Sequence, residues 1–182
     1  GPKEISSRLS AGQLMKRAIK ARLGLLQAAK ALMDEILNPQ MAFDEDTSLL
    51  AAETKLAQNA KKIALMTLGT AAQKYMMELS EQQEVLINCA DIIMDAYQME
   101  TAILRAKKFA EKNGEESAGR YIDMASVFCN DAIQRIDAKA KNTIAAIAEG
   151  DEGRTLLVAL KRFTKNNSPV NTIAARQRIA DT

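Results

Sequence analysis

Five oxygen-bearing side chains, Glu84, Asn88, Asp91, Asp95 and Gln98, follow one another at spacings of four, three, four and three. On a helix that spacing gathers them on one face. A hard cation needs several oxygens converging within about 2.5 Å, whereas a straight stripe spreads them along the helix axis. The five therefore read as a solvated or salt-bridged face rather than a metal site. The sequence contains no His, which removes Ser-His-Asp and Cys-His triads, His-bearing zinc sites and the Glu-x-x-His di-iron bundle. The two cysteines, Cys89 and Cys129, have nothing basic beside them in sequence to favour a thiolate, and they suit a reducing compartment. Cys89 lies 25 residues before Gly114 and Cys129 lies 15 after it. Across a hairpin turn at Asn113-Gly114 their heights differ by roughly 15 Å at 1.5 Å per residue, about twice what a disulfide tolerates. Both read as free, buried thiols.

The remaining candidates point to packing as well. The glycines are isolated, so no phosphate-cradling loop forms. Gly69, inside a helical run, costs about 1 kcal/mol relative to Ala and is better explained by close helix contact than by catalysis. Nine methionines could make an adaptable groove. Met15, Met33, Met66, Met76, Met94 and Met99 sit at or beside core spacing, and a packing role is the simpler reading. Arg105 and Arg120 flank the Asn113 turn and could pair with acids across it. No catalytic, cofactor-binding or metal-ligating residue emerges.

The elements that would carry these residues are helical. Hydrophobic residues make up 47% of the 182 and charged ones 26%, with eight Gly and three Pro, values that exclude extended disorder and argue against an all-β sandwich. A first apolar stripe runs over Leu14, Met15, Ala18 and Ile19 to Leu23-Gly24; a second runs from Leu25 to Leu37 and stops at Asn38-Pro39. Residues 38–47 form the long loop, and helix resumes near Thr47 or Ser48 and continues to about Glu78. Ser80 with Gln83 matches a capping box, marking a new start. The helix that follows, to Asn113-Gly114, has an apolar face too wide for a surface helix and should be central. A further helix opens at Ser117 and reaches Ala148, closed by Gly150; a shorter one covers about 152–165; Asn171 caps a last one over 172–180. The fold class is all-α: an antiparallel bundle with three long helices and shorter terminal ones.

Net charge hides a pattern. Residues 1–37 carry seven Lys/Arg against three acids, net +4; residues 150–182 carry six against three, net +3; the middle is left at −5 for a total of +2. Such ends dock on acidic helical surface or await a partner, or are solvated helix faces, the plainer reading for exposed charge; Lys16, Arg17, Arg154 and Arg162 are the candidate docking residues. No basic cluster is interleaved with stacking aromatics, so nucleic acid is not an expected partner. No run approaches 18 apolar residues and no export signal opens the chain, which reads as cytoplasmic. The chain begins Gly-Pro rather than Met and is read as a piece of something longer. Residues 1–37 would continue from a missing portion, 38–47 form a loop, and 48–182 make the bundle, together one domain.

Three phrases carry a resemblance. Glu4 to Leu32, in the pattern EIxxxLxxGxLMKRAIKxxLxLLQAAKxL, resembles the end of the catalytic core of flavin-dependent acyl-CoA dehydrogenases and the start of the extra C-terminal helical domain of the very-long-chain type and its bacterial relatives. EQQEVLINCADIIMDAYQMETAILRAKK, residues 81–108, resembles that domain's central helix, and residues 149–181 resemble the closing block of bacterial members. Gly24 departs from the pattern, where a Pro is expected.

The resemblance implies a parent that oxidises a fatty acyl-CoA to the trans-2-enoyl-CoA: a glutamate removes the α proton, FAD takes the β hydride, and electrons pass to an electron-transferring flavoprotein. Aligning the family's Tyr-Glu-Gly-Thr-Asn-Glu-Ile phrase on Glu4-Ile5 places the catalytic glutamate before Gly1. The implied role of this chain is thus non-catalytic and free of cofactor: packing on its own catalytic domains and on a second subunit. Asp44, Glu45 and Asp46 in the loop would be repelled by anionic lipid, so membrane contact is at most peripheral. The alternative is a free-standing helical interaction module, for which a heptad register sustained over four heptads would speak; none is found.

Overall fold

Apolar residues recurring every three to four positions coil the chain into helices whose inner stripes must be buried together. The computed structural model describes residues 20, 23–38, 46–167 and 169–181. The helix expected over residues 14–19 and most of the 38–47 loop lie outside them. Helix α1 (23–37) includes Gly24 and ends before Pro39, as proline's exclusion of the preceding residue from helix requires. It is followed by α2 (Ala51–Tyr75), a short 3-10 segment (Met76–Glu81), α3 (Gln83–Asn113), α4 (Gly119–Ile147), α5 (Gly150–Phe163) and α6 (Thr172–Ala180). Among the described residues there is no strand, and α2, α3 and α4 are the three long helices expected.

The boundaries show which local signals prevail. Asn171 caps α6, its side-chain oxygen accepting from the Ala174 N–H at 3.1 Å. Gly114 ends α3 with φ 86°, a conformation open to Gly at little cost. The Ser80–Gln83 capping box does not form: Ser80 falls within the 3-10 segment, and α3 starts after Gln82 with no side-chain cap. A new helix does begin there, but through a backbone reversal after α2, where Met76 takes φ 49°. Gly150 opens α5 rather than closing α4, which ends at Ile147.

The expected centrality of α3 is corrected. Helix α4 is packed by α2, α3, α5 and α6, and α2 by α1, α3, α4 and α5, whereas among the described residues α3 packs chiefly against α2, α4 and the 3-10 segment. Ile87, Tyr97 and Leu104 remain 59, 67 and 59% exposed on its outer side. The wide apolar face of α3 is in fact two faces, one buried and one open. The methionines divide similarly: Met66 and Met99 are core residues, whereas Met76, Met77 and Met94 are exposed.

Gly69 sits where α2 passes α1, and a methyl added there would overlap the Ala29 methyl. This is the close helix contact that its presence in a helical run implied. Gly69→Ala should therefore lower stability by roughly 1–2 kcal/mol in urea unfolding, overpacking outweighing the ~1 kcal/mol that Ala brings to a helix. Adding Ala29→Gly should recover most of that loss. Unchanged or raised stability in Gly69→Ala would show that α1 is free to move away.

Candidate functional site

The acidic stripe of α3 is used against α4. Asp95, buried, accepts from Arg135 through both oxygens, at 2.7 Å from Nη2 and 3.3 Å from Nε, a fork that fixes geometry as well as charge. Four residues earlier on α3 and four later on α4, Asp91 pairs with Lys139. That opposed stepping is the register of an antiparallel hairpin. The Arg135 guanidinium also lies over the Phe128 ring, 5.6 Å from its centroid. Glu84 and Gln98 are exposed and Asn88 is half-buried. With two of its three carboxylates occupied by cations, the stripe is structural. Among the described residues no group of three or more Cys, Asp or Glu converges as a metal site would require.

The basic termini are placed unevenly. Lys16 and Arg17 lie outside the described residues. Arg154 pairs with Asp151 one turn earlier on α5 at 2.7 Å, both strongly exposed, an arrangement that contributes little. Arg162 lies over the Phe163 ring at 5.0 Å. The cations that do reach the acidic middle are Arg176, on Asp131 at 2.6 Å, and Arg178, which holds Asp123 with two hydrogen bonds of 2.6 and 2.8 Å. Together they clamp α6 on α4. Sequence reasoning did not single these two out, although the charge contrast between the C-terminal segment and the middle was the available signal. Arg105 does not pair with an acid across the turn: its guanidinium lies 6.0 Å over Tyr121.

Further cross-links use up the polar groups between helices. Ser126 donates to Glu53 at 2.6 Å, and Asn59 donates to the Phe163 carbonyl at 3.0 Å. Lys74 and Tyr75 both donate to the Ala146 carbonyl, meeting an oxygen that the end of α4 leaves without a helical partner. A cleft of about 100 Å³ between α2 and α3 contains Lys61 and Glu100, which pair with each other, and Lys107, which donates to Thr54 at 3.1 Å. Lys61 and Glu100 neutralise each other there, and the Lys107 ammonium has a hydroxyl as its partner. Cys89 and Cys129 are free and buried. Burial pushes the Cys89 thiol up and that of Cys129 to about 12, away from the thiolate that reactivity needs.

The described residues thus form a helical bundle whose polar groups cross-link its own helices. Comparison with known proteins agrees with that class and makes it specific. A sequence model described as the acyl-CoA dehydrogenase C-terminal domain matches residues 59–162, and the chain belongs to that family. It is 34% identical over 180 residues to a probable acyl-CoA dehydrogenase of Bacillus subtilis (strain 168), covering 99% of this chain and 30% of that protein. A solved acyl-CoA dehydrogenase complexed with FAD, from Bacillus anthracis, superposes with a TM-score of 0.84 at 38% identity, over 93% of this chain and 29% of its own. The chain thus spans under a third of the length of either relative. Among the described residues no helix is long and apolar enough to cross a membrane.

Arg135→Ala leaves the Asp95 carboxylate buried without its cation and should cost about 2 kcal/mol in denaturant unfolding, with Arg135→Lys in between; no loss would show that Asp95 is solvated in solution. Cys89 and Cys129 should react with a thiol reagent at pH 8 only after unfolding. Because the Cys129 thiol keeps its proton to about 12 when folded but only to about 8.5 when unfolded, its share of stability is whole below pH ~8.5. That share drains as pH rises towards 12. Stability should therefore fall less steeply with pH in Cys129→Ala than in the parent sequence.

Proposed function

We propose that this chain is the C-terminal helical domain of a longer flavin-dependent acyl-CoA dehydrogenase, packing on that enzyme's catalytic domains and supporting its dimer without itself performing the oxidation. The observation that carries the reading is the match over 99% of this chain to only 30% of a probable acyl-CoA dehydrogenase. In this reading residues 1–37 continue from the catalytic portion, 38–47 connect, and 48–182 form the supporting bundle, the whole acting as one domain. Lys16, Arg17, Arg154 and Arg162 are docking candidates. The exposed positions of Arg154 and Arg162 suit contact with a surface outside this chain.

FAD belongs to the rest of the enzyme, as does the glutamate that removes the α proton of the acyl-CoA. General-base chemistry needs a side chain within about 3 Å of the proton it takes, and hydride acceptance is the cofactor's own chemistry. Asp91 and Asp95 are poor substitutes, being held by Lys139 and Arg135. An electron-transferring flavoprotein would take the electrons from the parent. The acidic Asp44, Glu45 and Asp46 favour a cytoplasmic role with membrane contact at most peripheral.

The 182-residue chain mixed with FAD and a range of acyl-CoA thioesters should neither retain flavin through gel filtration nor form enoyl-CoA above the flavin-only control. The full-length enzyme lacking this region should still bind flavin but lose thermal stability and dimer affinity. Turnover by the isolated chain, or a truncated enzyme as stable and dimeric as the whole, would overturn the reading.

A further inference from the structure

On the side of α3 turned away from α2 and α4, Ile87, Ala90, Met94, Tyr97, Thr101 and Leu104 recur at alternating spacings of three and four, and all six are exposed. They form an apolar stripe about 26 Å long at 1.5 Å per residue. It lies opposite the buried stripe of Cys89, Ile92, Ala96, Met99 and Ile103. Polar residues bound it: Gln98 flanks it, Asp91 is held by Lys139, and Glu100 by Lys61. The Thr101 hydroxyl is already spent on the Tyr97 carbonyl at 2.9 Å. A stripe this narrow fits a single helix better than a broad surface.

Its order is nearly palindromic. Turned end for end about the point between Asp95 and Ala96, Ile87 exchanges with Leu104, Ala90 with Thr101, and Met94 with Tyr97. About a two-fold axis such a stripe meets its copy with side chains of comparable kind opposite one another, each contact made twice. Opposite charges stand near the two ends, within two residues of equivalence about the same point. Glu84 lies beside one end of the stripe and Arg105 beside the other, both exposed and neither with an ion-pair partner among the described residues. Arg105 is steadied over the Tyr121 ring.

We propose that the outer stripe of α3 is a self-docking seam, covered by the same stripe of a second copy running antiparallel across a two-fold axis. Ile87 then packs on Leu104 of the second copy, Met94 on its Tyr97, and Glu84 meets its Arg105, each contact occurring twice. This gives the dimer-supporting role proposed above a location, and it rests on that reading for the assembly it serves. Some two and a half heptads bury less than the ~800 Å² per partner of a standard interface. The isolated chain should therefore pair weakly, and the seam gains strength where a parent dimer already holds two copies close.

Sedimentation of the 182-residue chain from about 5 μM to 1 mM should show a reversible monomer–dimer equilibrium. Tyr97→Glu should weaken it more than tenfold with an unchanged circular dichroism spectrum. Glu84→Arg or Arg105→Glu alone places like charges at both ends and should weaken pairing several-fold, and the double exchange should restore it. Mild oxidation should give a covalent dimer from Ala90→Cys/Thr101→Cys but not from Ala90→Cys alone. A chain still monomeric at 1 mM would overturn the proposal, assigning the stripe to residues 1–19 or to the catalytic portion. So would a dimer indifferent to Tyr97→Glu, or one that the double charge exchange fails to rescue. None of these outcomes touches the test of catalytic inertness, so the two readings fail separately.

Discussion

Helix α4 must be buried on several sides at once, and only small side chains let neighbouring backbones come near enough to do it. Its inner stripe runs Ala125, Cys129, Ala132, Ile136, Ala140 and Ile144, none more than 1% exposed. Alanine and cysteine admit α2 and α3 closely; the isoleucines fill the space between, as close-packed interiors require. With this enclosure go the turn at Gly114, the return of α5 alongside α2, where Asn59 meets the Phe163 carbonyl, and the folding back of α6 onto α4. The same device recurs at the edge of the bundle, where Gly69 of α2 meets Ala29 of α1.

An interior of Ala, Ile and Leu would tolerate sliding by a helical turn, and the polar contacts work against that freedom. Asp95 with Arg135, Asp91 with Lys139, and Ser126 with Glu53 each match one position of a helix to one of its neighbour. Slipping α3 along α4 by four residues would strand a carboxylate that is mostly buried. Polar groups without a cross-helix partner are satisfied locally, as Thr67 and Thr143 are by donating to carbonyls one turn back. Among the described residues no buried side-chain nitrogen or oxygen lacks a partner. The ion pairs contribute more to register than to stability, in keeping with the cost of desolvating charge.

Helix existence was legible because the 3.6-residue period runs through almost every segment, and Asn113-Gly114, Asn38-Pro39 and Asn171 stood at real ends. What misled were signals that several conformations share. Ser80 and Gln83 have the spacing of a capping box, yet the reversal at Met76 sets the entry to α3 before that box can close. The breadth of α3's apolar face was read as burial, whereas periodicity reports that a face is apolar and says nothing of what covers it. Contact between the basic C-terminal segment and the acidic middle was foreseeable as a tendency. Its particular residues, Arg176 and Arg178, were not, because pairing across 45 and 55 residues of chain depends on where α6 lands.

The way polar and apolar groups are spent bears on what such a bundle can do. In an active site, charged groups are left incompletely paired so that substrate can complete them. Here the carboxylates of Asp95 and Asp91 are already matched by Arg135 and Lys139, Lys61 and Glu100 pair with each other in the inter-helix cleft, and burial keeps the Cys129 thiol protonated. Among the described residues, the open surface along one helix is apolar, with Ile87, Met94, Tyr97 and Leu104 exposed between the unpaired charges of Glu84 and Arg105. Exposed apolar surface in a contiguous stripe calls for a macromolecular neighbour rather than a reactant. The bundle turns its charged groups inward to fix its own register and leaves an apolar stripe outward, the division expected of the supporting role proposed for it.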